Sequence, residues 1–454
     1  MQLIVNIFRV VFSNMITLIS NVVLGIILPM ILSVQDYGEY RLFIFYISFI
    51  GLLHFGFIDA IYIKYGGFGE KDISKQLLKK EHHVFFVYQI LISLIILGCS
   101  FLIDNLIFIL LAISIIPVNL GAFHKLFYQA TGQFKKYSYA NIVYTILNLC
   151  LICFLITIDI NKSIYYIIFT LISYFILLII MEVDFKKYTK GIVPKGTVKI
   201  LDYNKVGIFI LLGNLCILMI NSIGRWIVQF FFDIQSFAYY SFAVSMMNMI
   251  LLIINAIGLT FYNYIAKRED RSNLILIKKI LLIIGVLAGS TYFILDKVVN
   301  TLLPDYVLSL NIIAISFVTF PYIMVINVII INLYKARKRE REFFKVVFLI
   351  FLLAIVINIL AFLIINSMNM LALATLITFI LWYVYSTNKE FKYLKGNKKE
   401  VIFLICHALI FFLCLNYLGW LTSFITYLFF TSIISLFIYK HEFELLYRKF
   451  KKGN

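Results

Sequence analysis

The chain has 454 residues, 63% of them hydrophobic and 14% charged, with mean hydropathy +0.99 and a formal net charge of +18. Water-soluble domains hold about half apolar and about a quarter charged residues, so a soluble globule is excluded. Segments of about ten residues with alternating hydrophobicity are missing, which excludes a membrane β-barrel and leaves an all-α polytopic membrane protein.

Windows of about 19 residues give about fourteen spans long enough to cross a hydrocarbon core about 30 Å thick. In chain order they cover roughly 6–30, 40–62, 84–103, 106–126, 138–158, 163–181 and 206–231. The remaining seven follow at roughly 235–262, 274–295, 307–333, 343–365, 368–386, 401–418 and 420–438. The first is too long for a cleavable signal, carries Asn14 and Asn21, and lacks a small-residue cleavage site. After the sixth comes a basic stretch, "EVDFKKYTKGIVPKGTVKILDYNK" (182–205), which reads as a linker rather than a folded domain. Four parts are therefore expected. They are an N-terminal lobe at 1–190, a cytoplasmic linker at 191–205, a second lobe at 206–386, and a final helix pair with a basic tail at 387–454.

Charge orients these spans. Seven connecting or terminal segments hold 35 of the 40 basic residues, and Arg9 joins them on the same side. The opposite loops hold only Arg41, Lys162 and Lys297. Lys and Arg accumulate in cytoplasmic loops, so both termini are expected in the cytoplasm. The basicity is a topology signal and an attraction to the anionic leaflet, not a nucleic-acid footprint.

Motifs of catalysis are absent. No Asp-x-Asp pair, Gly-rich phosphate loop or long outer loop is present to carry an active site, so neither an enzyme nor a bound cofactor is expected. All six cysteines lie within spans, and the Cys150/Cys153 pair has no nearby histidine, so small buried hydrophobes are the reading. His82, His83 and His441 fall in loops, His124 at a span end, and His54 and His407 inside the membrane. No metal site is read from these spacings. The two intramembrane histidines are either interhelical hydrogen-bond partners or members of a proton relay.

A shift of 200 residues lays "SNMITLISN" (13–21) on "GNLCILMIN" (213–221). Asn14 then meets Asn214, Asn21 meets Asn221, Gln35 meets Gln235 and Tyr40 meets Tyr240, without a gap. Spans one and seven start on the same side, so the repeat is parallel: two six-helix lobes, with helices 13 and 14 appended. Asparagines also recur two helical turns apart at Asn14/Asn21, Asn141/Asn148, Asn214/Asn221 and Asn248/Asn255. Such rows glue helices together or line a wet passage, and both roles are compatible.

Several stretches resemble a known family. "LPMILSVQDYGEYRLF" (28–43), "HFGFIDAIYIKYGG" (54–67), "NSIGRWIVQFFFDIQSFAYYSFAVSM" (221–246), "LPDYVLSLNII" (303–313) and "YKARKRERE" (334–342) are similar to segments of bacterial polysaccharide-unit flippases. These Wzx-like, O-antigen- or capsule-type proteins belong to the multidrug/oligosaccharidyl-lipid/polysaccharide exporter superfamily. The resemblance implies twelve or fourteen helices in two lobes and an anionic carrier-lipid diphosphate as the handle. One position departs from it: where the family often has Asp before the arginine, this chain has Gly224.

Charges at depth complete the reading. Arg225 lies eight residues before Asp233, about 12 Å below the helix end at 1.5 Å per residue. An arginine there costs about 2.5–3.5 kcal/mol to insert, which marks it as a cation facing a cavity or as one that snorkels or is paired. Asp59 and His54 are candidates for ion coupling or gating, and Lys64 for the inner mouth beside Lys278 and Lys279. Substrate contacts are expected from Arg225, Lys64, Asn14, Asn21, Asn214, Asn221, Asn248 and Asn255. The expectation is a flippase that moves a polyprenyl-diphosphate-linked oligosaccharide unit to the outer leaflet by alternating access. Its partners would be membrane lipids and other polysaccharide-assembly proteins, and coupling to a Na+ or H+ gradient stays open. The alternatives are a small-molecule or drug exporter of the same superfamily, or a membrane-embedded polymerase or acyltransferase.

Overall fold

A bilayer offers the backbone no water, so a spanning segment satisfies its own N–H and C=O groups by forming a helix. The computed structural model describes residues 2–444 except 70, 71, 268, 269 and 338, and every element among them is helical. Two compact units divide the chain at Leu215/Cys216.

The first unit holds α1 (Gln2–Ile31), α2 (Val34–Ile50), α3 (Phe57–Tyr65), α4 (Lys75–Ile103), α5 (Leu106–Ala130), α6 (Phe134–Thr157), α7 (Ser163–Tyr188) and most of α8 (Ile200–Ile220). It therefore takes in the expected linker and the front half of the seventh span. Its core packs Phe57, Phe85, Phe123 and Phe127 from α3, α4 and α5, with Phe185 from α7. Thr17 and Thr145 join α1 to α6 by hydroxyl groups 3.1 Å apart.

The second unit continues with α9 (Ile223–Phe231), α10 (Ile234–Lys267), α11 (Arg271–Ala288), α12 (Thr291–Leu302), α13 (Leu310–Phe317), α14 (Phe320–Val325), α15 (Ile331–Ala336), α16 (Glu340–Ile364), α17 (Met368–Tyr385), α18 (Lys398–Tyr417) and α19 (Trp420–Ile438). The final pair is built into this unit rather than hung on it. Tyr427 of α19 donates to the Val286 carbonyl of α11 at 2.6 Å and sits 2.8 Å from His407 Nδ1 of α18.

Each of the fourteen expected spans has helix among the described residues, but the second, seventh, ninth and tenth are interrupted. Eleven stretches are long and apolar enough to cross a membrane, two further ones are bent by 64° and 50°, and α10 with its 34 residues covers the eighth. The 64° bend separates α2 from α3 around a 3-10 turn at Gly51–His54. The 50° bend lies between α13 and α14, followed by a π-turn at Ile326–Ile330. The seventh span, read as one helix over 206–231, breaks at Asn221 and Ser222 into α8 and the nine-residue α9.

The 200-residue shift reappears in the element boundaries. α1 ends at Ile31 and α9 at Phe231; α2 begins at Val34 and α10 at Ile234. The caps match as well. Ser33 Oγ accepts the Asp36 N–H at 3.1 Å, and Asp233 Oδ1 accepts the Ser236 N–H at 2.7 Å. Each relieves one of the donors a helix start leaves free. Asp36 also accepts the Ser163 N–H at 2.9 Å.

Candidate functional site: polar groups at the two broken spans

Breaking a helix strands carbonyls, and in the first unit side chains of neighbouring helices collect them. Asn119 donates to the Ile50 carbonyl at 3.3 Å and to Gln89 Oε1 at 2.7 Å; Gln89 donates to the Leu53 carbonyl at 3.3 Å. Both amides are fully buried, so the break is a held feature. Phe55 (φ 48) and Gly56 (φ 86) turn the chain through the left-handed region. Gly56 is required there twice over, because a Cβ on it would lie 2.6 Å from the Gly207 carbonyl carbon of α8.

The break brings His54 and Asp59 together. His54 Nδ1 accepts the Gly56 N–H at 3.0 Å, which leaves its proton on Nε2, and Nε2 lies 3.9 Å from Asp59 Oδ2. That separation is too long for a hydrogen bond. Asp59 is only 8% exposed, and its Oδ2 has no hydrogen-bond partner among the described residues. A buried carboxylate oxygen facing an imidazole N–H at this distance leaves room for a proton or a small ion to change the pairing.

Lys64 is spoken for. It pairs with the fully buried Glu81, with Tyr203 at 2.8 Å, while Tyr65 donates to the other oxygen of Glu81 at 2.6 Å. Its charge is matched inside the unit, so any role at a mouth is shared with Glu81. Lys278 and Lys279 are likewise not open cations. Lys278 is 1% exposed, bonded to Glu400 at 2.6 Å and to the Leu394 carbonyl at 2.8 Å, and Lys279 pairs with Glu442.

Arg225 stands in the first turn of α9, half-buried, with Nη2 3.1 Å from Ser222 Oγ. The space beside Gly224 is already filled. A Cβ at position 224 would collide with the Tyr240 hydroxyl and lie 2.8 Å from the ring carbon that bears it. Tyr240 thus occupies the space a side chain at 224 would need.

The asparagine rows differ in setting. Asn21, Asn214 and Asn248 are exposed on their units, Asn14 and Asn221 are half-buried, and the side chain of Asn255 lies outside the described residues. Asn221 donates to the Ile217 carbonyl at 2.8 Å, and Asn148 is buried and accepts from Ser173 at 3.4 Å. One row therefore glues helices, as expected of polar groups in lipid.

Two features escaped the sequence reading. Lys125 is part of α5, not of a loop; its Nζ sits 5.7 Å over the Tyr144 ring, with no ion pair among the described residues. His82, His124 and Glu182 converge from α4, α5 and α7, with ligand-type atoms all within 4.8 Å of one another.

With these elements in place, known structures can be laid on the chain. The lipid II flippase MurJ, in an inward closed conformation, covers 98% of this chain and 99% of its own, at 15% identity and TM-score 0.69. The chain shares its fold. A mutant of the Vibrio cholerae MATE transporter VcmN covers 86% of this chain and 98% of its own, at 13% identity and TM-score 0.51. No family model matches the chain, and no curated protein does. The architecture is thus one found in solved flippases and transporters.

Proposed function

We propose that this protein flips an oligosaccharide unit linked to a polyprenyl diphosphate across the bacterial inner membrane, in a Wzx-like manner, for a surface polysaccharide. The observation that carries the proposal is Arg225, a guanidinium on a short helix at a break in the seventh span. Guanidinium offers bidentate, permanently charged donors, which suit a diphosphate better than a neutral or cationic drug. End-to-end likeness to a flippase of a lipid-linked substrate supports the same choice.

In this reading Arg225 binds the diphosphate, with Asn14, Asn21, Asn214, Asn221, Asn248 and Asn255 along the sugar path. Lys64 acts with Glu81 at the inner mouth, and Lys125 is a further candidate cation. Asp59 and His54 couple an ion or a proton to the change of access, and both termini face the cytoplasm.

A small-molecule exporter is the second reading, favoured by the likeness to a MATE transporter. Proteoliposomes separate the two. Purified protein should move a defined polyprenyl-diphosphate oligosaccharide between leaflets and leave cationic dyes in place. Dye export without lipid flipping would replace the proposal by the second reading.

A further inference from the structure

The first unit carries a cluster unconnected with the broken spans. Glu182 Oε1 accepts from two imidazoles at once, His82 Nε2 at 2.7 Å and His124 Nε2 at 2.9 Å. The ring centroids of the two histidines are 5.2 Å apart, and Phe185 lies 4.5 Å from the His82 ring and 5.3 Å from the His124 ring. Phe123 closes another wall, 5.4 Å from His82. His124 is fully buried, and its Nδ1 has no hydrogen-bond partner among the described residues.

Among the described residues no lysine or arginine pairs with Glu182. Glu182 carries a negative charge whose only hydrogen-bond donors among the described residues are two imidazoles. The neighbouring cation is already committed: Lys136 sits 3.0 Å from Asp184, which also accepts from Tyr128 at 3.1 Å. A carboxylate in low-dielectric surroundings needs a positive partner.

We propose that His82, His124 and Glu182 form a binding site for a divalent first-row transition metal, zinc foremost, that cross-braces α4, α5 and α7. Two imidazole nitrogens and one carboxylate oxygen are a borderline donor set that suits zinc and disfavours magnesium or calcium. Tetrahedral ligands at about 2.1 Å from zinc stand about 3.4 Å from one another. The present 2.7 and 2.9 Å contacts therefore need to open by about 0.5–0.7 Å, with the two imidazole nitrogens, within 4.8 Å of each other, settling at the same spacing. Glu182, with its side chain 22% exposed, lies on the open side, where a water completes the shell. Metal binding needs the Nε2 lone pairs, so each neutral imidazole moves its proton from Nε2 to Nδ1 by exchange with solvent. The three ligands come from the start of α4 and the closing turns of α5 and α7, so an ion there ties three helices at one end of the unit.

The test uses full-length protein in detergent, purified on a tag without histidine, stripped by chelator and then titrated with zinc or cobalt. We expect one zinc per chain, a visible cobalt spectrum of low coordination number, and a melting temperature that zinc raises and magnesium leaves unchanged. His124→Gln and Glu182→Gln should each weaken zinc at least about tenfold. His82→Cys should keep the metal and add a thiolate-to-cobalt absorption band. Zinc binding that is sub-stoichiometric, or equal in wild type and both Gln variants, would overturn the site and assign any bound ion to exposed histidines such as His83. If the variants fail to accumulate, the wild type decides alone: no zinc-dependent rise in melting temperature would reduce the cluster to a hydrogen-bonded one. None of these readouts depends on flipping.

Discussion

Arg225 is the residue on which the functional proposal turns, and its environment sets what a substitution should do. Ser222 Oγ is 3.1 Å from its guanidinium, within the same turn. Arg225→Ala should abolish flipping while membrane yield stays near wild type, because removing a cation from a mid-membrane helix lowers the insertion cost by a few kcal/mol. Arg225→Lys should keep part of the activity, since charge survives and the planar fork does not. Membrane yield and export of glycan, measured in the same cells for both variants, check this. Normal export from a well-expressed Arg225→Ala protein would remove the diphosphate grip from the mechanism.

Gly224 makes a separate residue-scale prediction. Gly224→Ala forces its methyl group into Tyr240, an overpacking that costs about 1–3 kcal/mol. Thermal unfolding in detergent should shift downward, and adding Tyr240→Phe should recover part of the shift by removing the hydroxyl. An unchanged midpoint for Gly224→Ala would mean that Tyr240 moves aside at no cost.

At the scale of elements, the α2–α3 break depends on backbone contact and on two amides. Gly56→Ala is strained by its φ of 86° and meets Gly207, so it should lower yield severely rather than slow transport alone. Asn119→Leu leaves the Ile50 carbonyl without its donor and frees Gln89, at about 1–3 kcal/mol for each stranded group. Proteolysis within 51–56 should then become faster in detergent-solubilised protein. Resistance equal to wild type would show that the bend holds without this network.

The same logic applies where α11 meets α18. Lys278 and Glu400 are 1% and 2% exposed, and the Tyr383 hydroxyl also reaches Glu400. Breaking such a pair by removing one partner costs about 3–5 kcal/mol, far more than removing both. Glu400→Gln should therefore unfold at a markedly lower temperature than Lys278→Met/Glu400→Gln. Equal losses would show that the two charges are not coupled.

For the whole molecule, the charge bias predicts which loops are accessible. Cysteine tags at Lys162, Asp233 and Asn369 should label from outside intact cells, and tags at Lys190 and Lys395 only after permeabilisation. Reversed labelling at two of these positions would invert the topology. Truncation before α18 should also do more than shorten the protein. It would strand Lys278 and expose the Val286 carbonyl now capped by Tyr427, so the remaining chain should accumulate poorly.

Sequence alone determined the class of this protein, because hydropathy is a sum over neighbours and needs no fold to be read. Every expected span has its helix, and the shift of 200 residues is visible both in Asn14/Asn214 and in helix boundaries at Val34 and Ile234. Arg225, Asp59 and His54 stood out for a related reason, since a charged or ionisable side chain in an oily run is conspicuous without knowing its neighbours. What the tertiary structure decided was who meets whom. The break beside Gly56 was hidden because the backbone it packs against, at Gly207, is far along the chain and the apolar run passes through it unchanged. Lys64 and Lys278 looked like open cations until Glu81, on the next helix of its unit, and Glu400, far along the chain, were brought to them by packing. His82, His124 and Glu182 are the extreme case: three ordinary residues on three helices, 58 and 100 positions apart in their two contacts, become one site only when α4, α5 and α7 pack. Local free energy of transfer sets the helices; the choice of partners is set by packing between them, where one hydrogen bond or one missing methyl group outweighs any pattern along the chain.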